Sequence, residues 1–481
     1  MSKSLTKRGT LMRQKPEFSE KREIIKFIEE NDVKILNLCH IPENGRLKTL
    51  SFSATNKERV QEILEFGERV DGSNLFSYIE PDKSDVYITP RINRAFLNPF
   101  SATPTLNILC DYLDENGKPL EVAPKNVLAR AEERLYSSTG IVLKALAEME
   151  FYIISKNENE TLFPSFPDKN YHESSPFAKF EDVRNEVLIT LADIGIPTKY
   201  GHSEVGTVNR DGLTMEQHEI ELLPQRLTEM AEAISITKWV IRNVCAKHGV
   251  SVSFSPKVAL EHAGNGMHVH LCGLKNGRNV IVGRDGALSE KALKMIGGVL
   301  KFARSLTAFG NTVPVSYLRF ISRKESPMHV CWGSRNRLAL IRIPLWWSFK
   351  GKIESKNSCR RTFEYRAPDP LADAYLLFAG VTVAVDYALK NSREALRIAE
   401  RLHVEKAGRK QKMLLPQSCF ESAENLERDR GFYEAHGIFP RKVIDKTVER
   451  LKGYKDKDLW IRLAGKPSKI EEVLRHYLHY G

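Results

Sequence analysis

The sequence predicts an α+β protein: a small sheet-rich N-terminal domain followed by a larger mixed domain. Three observations predict it. Short apolar-rich segments separated by turn residues fill the chain up to about residue 122, helical periodicity begins near Pro124, and strands and helices then alternate irregularly. A doubly wound sheet would need strict interleaving, and no fixed-period repeat is visible.

Residues 1–30 read as a basic N-terminal tail, because Met1 to Lys15 carries no acid and lacks the apolar core of a signal peptide. Val33 to Leu38 and Leu47 to Phe52 flank the turn sequence Pro42-Glu43-Asn44-Gly45, as in a hairpin. Val86 to Ile88 and Leu106 to Tyr112 continue the style and end at Asp114-Glu115-Asn116-Gly117. Next, Val127, Leu128, Ala131 and Leu135 keep helical spacing from Pro124 to Gly140. The expected domains are therefore 31–122 and 123–481. In the second, Leu146 to Ile154, Glu219 to Leu223, Met267 to Cys272 and Leu338 to Ile343 read as strands. Phe180 to Ile194 and Leu227 to His248 read as helices, and helices dominate from Ala372.

The chain has 481 residues, 42% hydrophobic and 28% charged, which is ordinary globular composition. A formal charge of +12 suits a polyanion or a site for phosphates and carboxylates, but no nucleic-acid motif organises the basic residues. No nucleic-acid partner is expected. Seven widely spaced cysteines without a C-x-x-C pair read as reduced thiols of a cytoplasmic protein. The longest apolar run, Leu376 to Val385, is too short to span a bilayer and reads as a buried helix. No membrane association is expected.

Chemistry concentrates in five places. In Leu146 to Ile154 a period of two puts Glu148 and Glu150 on one strand face. An isolated pair of this kind is more often a solvated edge, but the apolar flanks turn the reading toward a hard-cation site for Mg²⁺ or Mn²⁺. Gly264-Asn265-Gly266-Met267-His268-Val269-His270 is a glycine-rich turn running into a strand with both histidines on one face. His202-Ser203-Glu204-Val205 and Gln217-His218-Glu219-Ile220 add two acids in a segment leading into a strand. Arg319, Arg323, Arg335, Arg337 and Arg342 crowd one region with Glu325 as the only acid between them, and guanidinium forks match phosphate and carboxylate oxygens. Finally, Phe363-Glu364-Tyr365-Arg366 pairs an acid with a guanidinium. Without a P-loop or kinase signature, these residue types reach metal-dependent phosphoryl transfer and no substrate.

In order, the motifs resemble the glutamine synthetase family. Asp71-Gly72-Ser73 with Asp85 resembles its D-G-S segment, Ala147 to Phe151 its E-x-E-F strand, and His202 to Val205 and Gln217 to Glu219 its H-x-E-V and G-Q-x-E. Gly264 to His270 resembles G-S-G-M-H-x-H, and Asn336-Arg337 to Arg342-Ile343-Pro344 resembles N-R-x-x-x-x-R-I-P. The resemblance implies a β-grasp-like N-terminal domain and a catalytic domain with a curved antiparallel sheet flanked by helices. It implies a glutamate–ammonia ligase that converts ATP to ADP and phosphate. Two to three Mg²⁺ or Mn²⁺ ions would be held by Glu148, Glu150, Glu204, Glu219, His268 and Glu364. Glutamate would be bound by Gly264, Arg319 and Arg366, and ATP by His270, Arg337 and Arg342. Asp71, Glu325 and Arg337 would serve catalysis, Asp71 from a neighbouring subunit of a dodecamer and Glu325 from a flap.

The sequence departs from the family pattern at Asn209-Arg210-Asp211-Gly212, inserted between Glu204 and Glu219, and at Ala263, Thr362 and Asp373-Ala374-Tyr375. These departures bear on the acceptor, so a γ-glutamyl ligase using an organic amine is the alternative. A non-catalytic structural relative is the second. Leu402 to Leu415 contains no tyrosine, so regulation by adenylylation there is not expected.

Overall fold

The computed structural model describes residues 15–156, 163, 166–283, 286–322, 326–346, 359–404 and 413–481. Part of the expected N-terminal tail is folded: Lys21–Glu30 forms helix α1, whose Ile24 and Ile28 are buried. Helical spacing of its apolar residues outweighs the basic charge around it.

Five strands build the first sheet: β1 (Ile35–His40), β2 (Lys48–Ser53), β3 (Glu68–Asp71), β4 (Asp85–Leu97) and β5 (Thr105–Leu113), with helix α2 (Lys57–Phe66) between β2 and β3. Their order is β2-β1-β5-β4-β3, with β1 and β5 parallel at the centre. The predicted hairpin pairs Ile35 with Ser53 through His40 with Lys48. Helix α3 (Pro124–Thr139) follows, starting with proline in its first turn and ending at Gly140 in the left-handed region, as its sequence dictates.

The second sheet carries the site. It contains β6 (Val142–Lys156), β7 (Thr198–Arg210), β8 (Leu213–Leu222), β9 (Gln225–Arg226), β10 (Ser251–Ser253), β11 (Met267–Lys275), β12 (Arg278–Asn279), β13 (Trp332–Ser334), β14 (Ile341–Ile343) and β15 (Phe363–Tyr365). The main path runs β13-β14-β15-β11-β6-β8-β7, antiparallel except for β13 with β14. Alternation divides its faces. Ala147, Met149 and Phe151 of β6, Val269 and Leu271 of β11 and Ile220 of β8 enter the core, while their polar neighbours face away.

Helices α4 (Glu181–Asp193), α5 (Leu227–Lys247), α6 (Glu290–Gly310), α7 (Pro314–Ile321), α8 (Ala374–Lys390) and α9 (Ser392–Arg401) complete the core. They are followed by α10 (Cys419–Glu434), α11 (Arg441–Gly453), α12 (Leu459–Leu463) and α13 (Pro467–Tyr477). Helix α8 contains the long apolar run and is buried over nearly its whole length. Among the described residues no helix is long and apolar enough to cross a membrane.

Two expected elements differ. The strand expected over Leu338 to Ile343 is confined to Ile341–Ile343, because only these residues find partners, Ile341 and Arg342 in β15 and all three in β13; Leu338 is in a turn and exposed. His202 to Val205 do not lead into a strand but lie within β7.

Candidate active site

Register brings the sequence-predicted residues into one row. Across neighbouring strands Arg342 faces Glu364, Glu364 faces His270, His268 faces Glu148, Glu150 faces Glu219, and Glu219 faces His202. Because period-two alternation holds on each strand, all of these project from the face opposite the core. Glu148, Glu150, Glu204, Glu219, Gly264, His268, His270, Arg319, Arg337, Arg342 and Arg366 line one cavity of about 220 Å³.

Three sets of donor atoms within this row lie within 4.8 Å of one another: Glu148 with Glu219 and His268, Glu148 with His270 and Glu364, and His202 with Glu204 and Glu219. Five of the six expected metal ligands are in these sets. The sixth, Glu150, stands beside them and accepts from the Gly266 N–H at 2.7 Å and from Gln217 Nε2 at 3.3 Å. His202 was not expected in a donor set, and its Nε2 lies 3.3 Å from Glu219 Oε1. His270 was expected to contact ATP; its Nε2 lies 2.9 Å from Glu148 Oε1 and its Nδ1 lies 3.0 Å from Thr362 Oγ1. His268 Nδ1 is 3.1 Å from Glu148 Oε2.

The electrostatics of the cluster fit a divalent cation. Burial and the adjacent Glu219 and Glu204 carboxylates push Glu150 well above the usual range, and burial with Glu148 and Glu204 does the same to Glu219. Burial also acts on Glu148, but the two histidines hold it well below that range. Burial, with Arg366 beside it, lowers His268 to about 4, favouring the neutral imidazole that ligates metal. Crowded carboxylates with the neutral His268 imidazole form an oxygen and nitrogen donor set whose repulsion a hard cation relieves.

Arginines close the other side. Arg342 donates to Glu364 Oε2 at 2.7 Å, and Arg366 pairs with Glu364 Oε1. Arg319 donates to Ala367 O at 3.0 Å, which fixes its guanidinium beside Gly264 and Gly266. Each departure from the family pattern has a local partner. The Ala263 carbonyl accepts from the Tyr152 hydroxyl at 2.8 Å, Thr362 orients His270, and Asp373 caps α8 by accepting from Leu376 N at 3.1 Å. The inserted Asn209 to Gly212 forms the end of β7 and the tight β7–β8 hairpin turn, with Asn209 and Arg210 paired to Thr214 and Leu213 and Asp211 and Gly212 in the turn at φ 52° and 71°.

Two residues in the row escaped the sequence reading. Glu221 faces both Glu148 and Tyr200 and is fully buried, and Lys199 Nζ pairs with its Oε1 at 2.7 Å. The alternation Glu219-Ile220-Glu221 carried the signal, the same E-x-E spacing as in β6. Asp71 is elsewhere, exposed at the end of β3, where its carboxylate accepts from Ser73 N at 2.9 Å; it does not line the cavity. Glu325 and Arg323 lie outside the described residues, as do residues 405–412 of the segment without tyrosine.

Comparisons with known proteins identify the family. The glutamine synthetase catalytic domain model matches residues 121–454, and the glutamine synthetase β-grasp domain model matches residues 32–115. Glutamine synthetase of Pyrococcus horikoshii is 31% identical over 433 residues, 89% of each chain. A 3-hydroxylaminophenol mutase of Cupriavidus pinatubonensis is 30% identical over 461 residues, covering 89% of this chain and 94% of its own. Plasmodium falciparum glutamine synthetase superposes with a TM-score of 0.79 at 21% identity, over 92% of this chain and 97% of that one, which shows a shared fold. The fold is thus a β-grasp domain followed by a catalytic domain with a curved sheet and helices, and family membership supports a ligase activity. The chain belongs to the glutamine synthetase family.

Proposed function

We propose that the chain ligates ammonia to the γ-carboxylate of L-glutamate at the expense of ATP, giving L-glutamine, ADP and phosphate. The observation that carries this reading is the cross-strand row of carboxylates and imidazoles facing arginines within one cavity. A carboxylate is a poor electrophile, so its oxygen must first take the γ-phosphoryl group of ATP. Ammonia then attacks the acyl carbon and phosphate leaves.

In this reading Glu148, Glu150, Glu204, Glu219, His268 and Glu364 hold Mg²⁺ or Mn²⁺, with His202 adjoining. Bound metal supplies the positive charge that offsets phosphate and carboxylate repulsion. Arg337, Arg342 and His270 contact the nucleotide and neutralise charge that builds up in transfer. Arg319, Arg366 and the backbone at Gly264 hold glutamate. Asp71 of a neighbouring subunit in a dodecamer binds ammonium and takes its proton, and Glu325 shields the acyl phosphate from water.

A second reading, an organic amine as acceptor, is favoured by a ring cluster at the mouth of the cavity. Tyr171 stacks on His172 at 4.1 Å, His172 meets His202 at 4.4 Å, and Tyr200 lies 5.9 Å from His202. Tyr171, Tyr200 and His202 line the cavity, and such rings beside carboxylates suit a substituted ammonium. The relative named as a mutase is as similar to this chain as several glutamine synthetases are. Phosphate release from ATP with glutamate and a panel of ammonia, hydroxylamine, ethylamine, ethanolamine and polyamines tests both. Turnover highest with ammonia supports the first reading, a preference for an organic amine supports the second, and no turnover with any removes both.

A further inference from the structure

Among the described residues, which include all seven cysteines, six thiols are buried and Cys359 alone is partly exposed. Two of the seven meet. Cys272 on β11 and Cys359, in the turn before β15, interact side chain to side chain, and Lys144 of β6, paired with Cys272 across the strands, lies beside both.

The sheet brings them together. β11 pairs with β15 from Val269 with Tyr365 to Leu271 with Phe363, so Cys272 stands at the end of that ladder, where the chain enters β15. Asn279 Nδ2 donates to Arg361 O at 2.9 Å, which ties the entering segment to β12. Thr362 Oγ1, on the same segment, lies 3.0 Å from His270 Nδ1. The turn that holds Cys359 is therefore fastened on the strand that carries Cys272 and both histidines of the row.

The two sulfurs differ in access. Cys272 is 1% exposed and packs as a small apolar side chain, whereas Cys359 is open to a small reagent. Contact with Cys272 draws the Cys359 thiol below its usual range, and Lys144 acts in the same direction against burial. An accessible sulfur beside a second thiol that can resolve it is the arrangement that oxidation selects.

We infer that Cys359 and Cys272 form a modification site at which hydrogen peroxide closes a reversible disulfide. The Cys359 sulfur attacks a peroxide oxygen, the O–O bond breaks, and a sulfenic acid and water result. The Cys272 sulfur then attacks the sulfenic sulfur, the S–S bond forms, and its proton leaves with the hydroxyl as a second water. Two thiols thus lose two electrons to one peroxide. The bond fastens the segment that carries Thr362 and leads into Glu364 to the strand of His268 and His270. The disulfide does not depend on the reaction proposed above; its effect on the row rests on the metal reading.

Treatment of the full chain with hydrogen peroxide, followed by alkylation and peptide mass spectrometry without reduction, tests it. A peptide pair joined through Cys272 and Cys359, lighter than its parts by two hydrogen atoms and released by dithiothreitol, is expected. C272S should instead accumulate the Cys359 sulfenic acid, trapped by dimedone, and C359S should lose no thiol at the same dose. Oxidation should weaken Mn²⁺ binding by calorimetry about tenfold, the usual cost of disturbing the outer partner of a metal site, and dithiothreitol should restore it. Sulfinic acid on Cys359 with Cys272 still free, a cross-link to another cysteine, or equal thiol loss in C359S would each overturn the disulfide. A cross-link that leaves Mn²⁺ affinity unchanged would overturn its effect on the row. A reduced chain that binds no Mn²⁺ would remove the metal reading and leave the disulfide standing. Circular dichroism establishes that each variant is folded, and the wild-type cross-link is read without any variant.

Discussion

His40 shows what burial does to a group whose neighbours give no charge in return. It is 5% exposed on β1, and its Nδ1 lies 2.7 Å from the Tyr112 hydroxyl. Burial, with Lys48 nearby, lowers it from 6.5 to about 4, so between these values the unfolded chain holds the proton and the folded chain does not. Its contribution is fully present above pH 6.5 and is lost as pH falls through 4, amounting to about 3 kcal/mol at most. His40→Gln should therefore flatten the dependence of the urea midpoint on pH between 7 and 4.5. An unchanged slope would assign that dependence to other groups. Single residues were legible where a motif fixed both type and spacing: Glu148, Glu150, His268 and Glu364 all reach the site. Glu221 and Lys199 were not, because their placement depends on which residue stands across a strand pair, and register is a property of pairing rather than of local sequence.

The β7–β8 pair shows how an element aims a ligand. His202 and Ser203 pair in regular register, but the next pairing is Thr207 with Glu216, so three residues on β7 oppose Gln217 alone. Glu204 sits in this bulge, where its Oε2 accepts from Val205 N at 2.6 Å. Gly206 makes the bulge possible: its N–H donates to Gln217 Oε1 at 3.0 Å, and a Cβ there would lie 1.9 Å from the Tyr152 hydroxyl. Gly206→Ala must displace either the bulge or Tyr152, at about 1–3 kcal/mol. The expected outcome is a lower thermal midpoint together with weaker Mn²⁺ binding by calorimetry. A lower midpoint with unchanged Mn²⁺ affinity would separate Glu204 from the metal site. The inserted Asn209 to Gly212 needs no such accommodation, since it is the paired end of β7 with its hairpin turn and lies beyond the bulge from Glu204. Its Asp-Gly signature was in the sequence but was read against a family pattern rather than as turn chemistry. The bulge was not legible, because nothing local marks where pairing slips. Helices α3 and α5 were legible almost to the residue, their ends being written in proline, glycine and periodicity.

The assembled molecule leaves Asp71 outside its own cavity, and the first sheet is held firmly against the second domain. Arg91 on β4 pairs with Glu232 on α5 at 2.6 Å, and Phe96 and Phe100 pack edge-on against Trp239 at 6.1 and 5.1 Å. The β-grasp sheet is thus tied to α5 by a part-buried ion pair and aromatic contacts, and bringing Asp71 to its own Glu148–Glu219 row would require breaking them. In the proposed reaction Asp71 therefore serves the site of a neighbouring subunit, as in cyclic assemblies whose heterologous interfaces join different surfaces of neighbouring chains. This gives a test that neither variant alone can provide. Asp71→Ala should abolish turnover by removing the ammonium contact, and Glu150→Ala should abolish it by disabling the metal row. In oligomers reassembled from equal amounts of the two inactive proteins, some sites pair an intact metal row from one chain with an intact Asp71 from its neighbour. Random mixing makes about a quarter of all sites complete, so phosphate release should recover to about a quarter of the wild-type rate. A mixture as inactive as its components, with mixed oligomers demonstrated by native mass spectrometry, would place both residues in the same chain's site or remove Asp71 from catalysis.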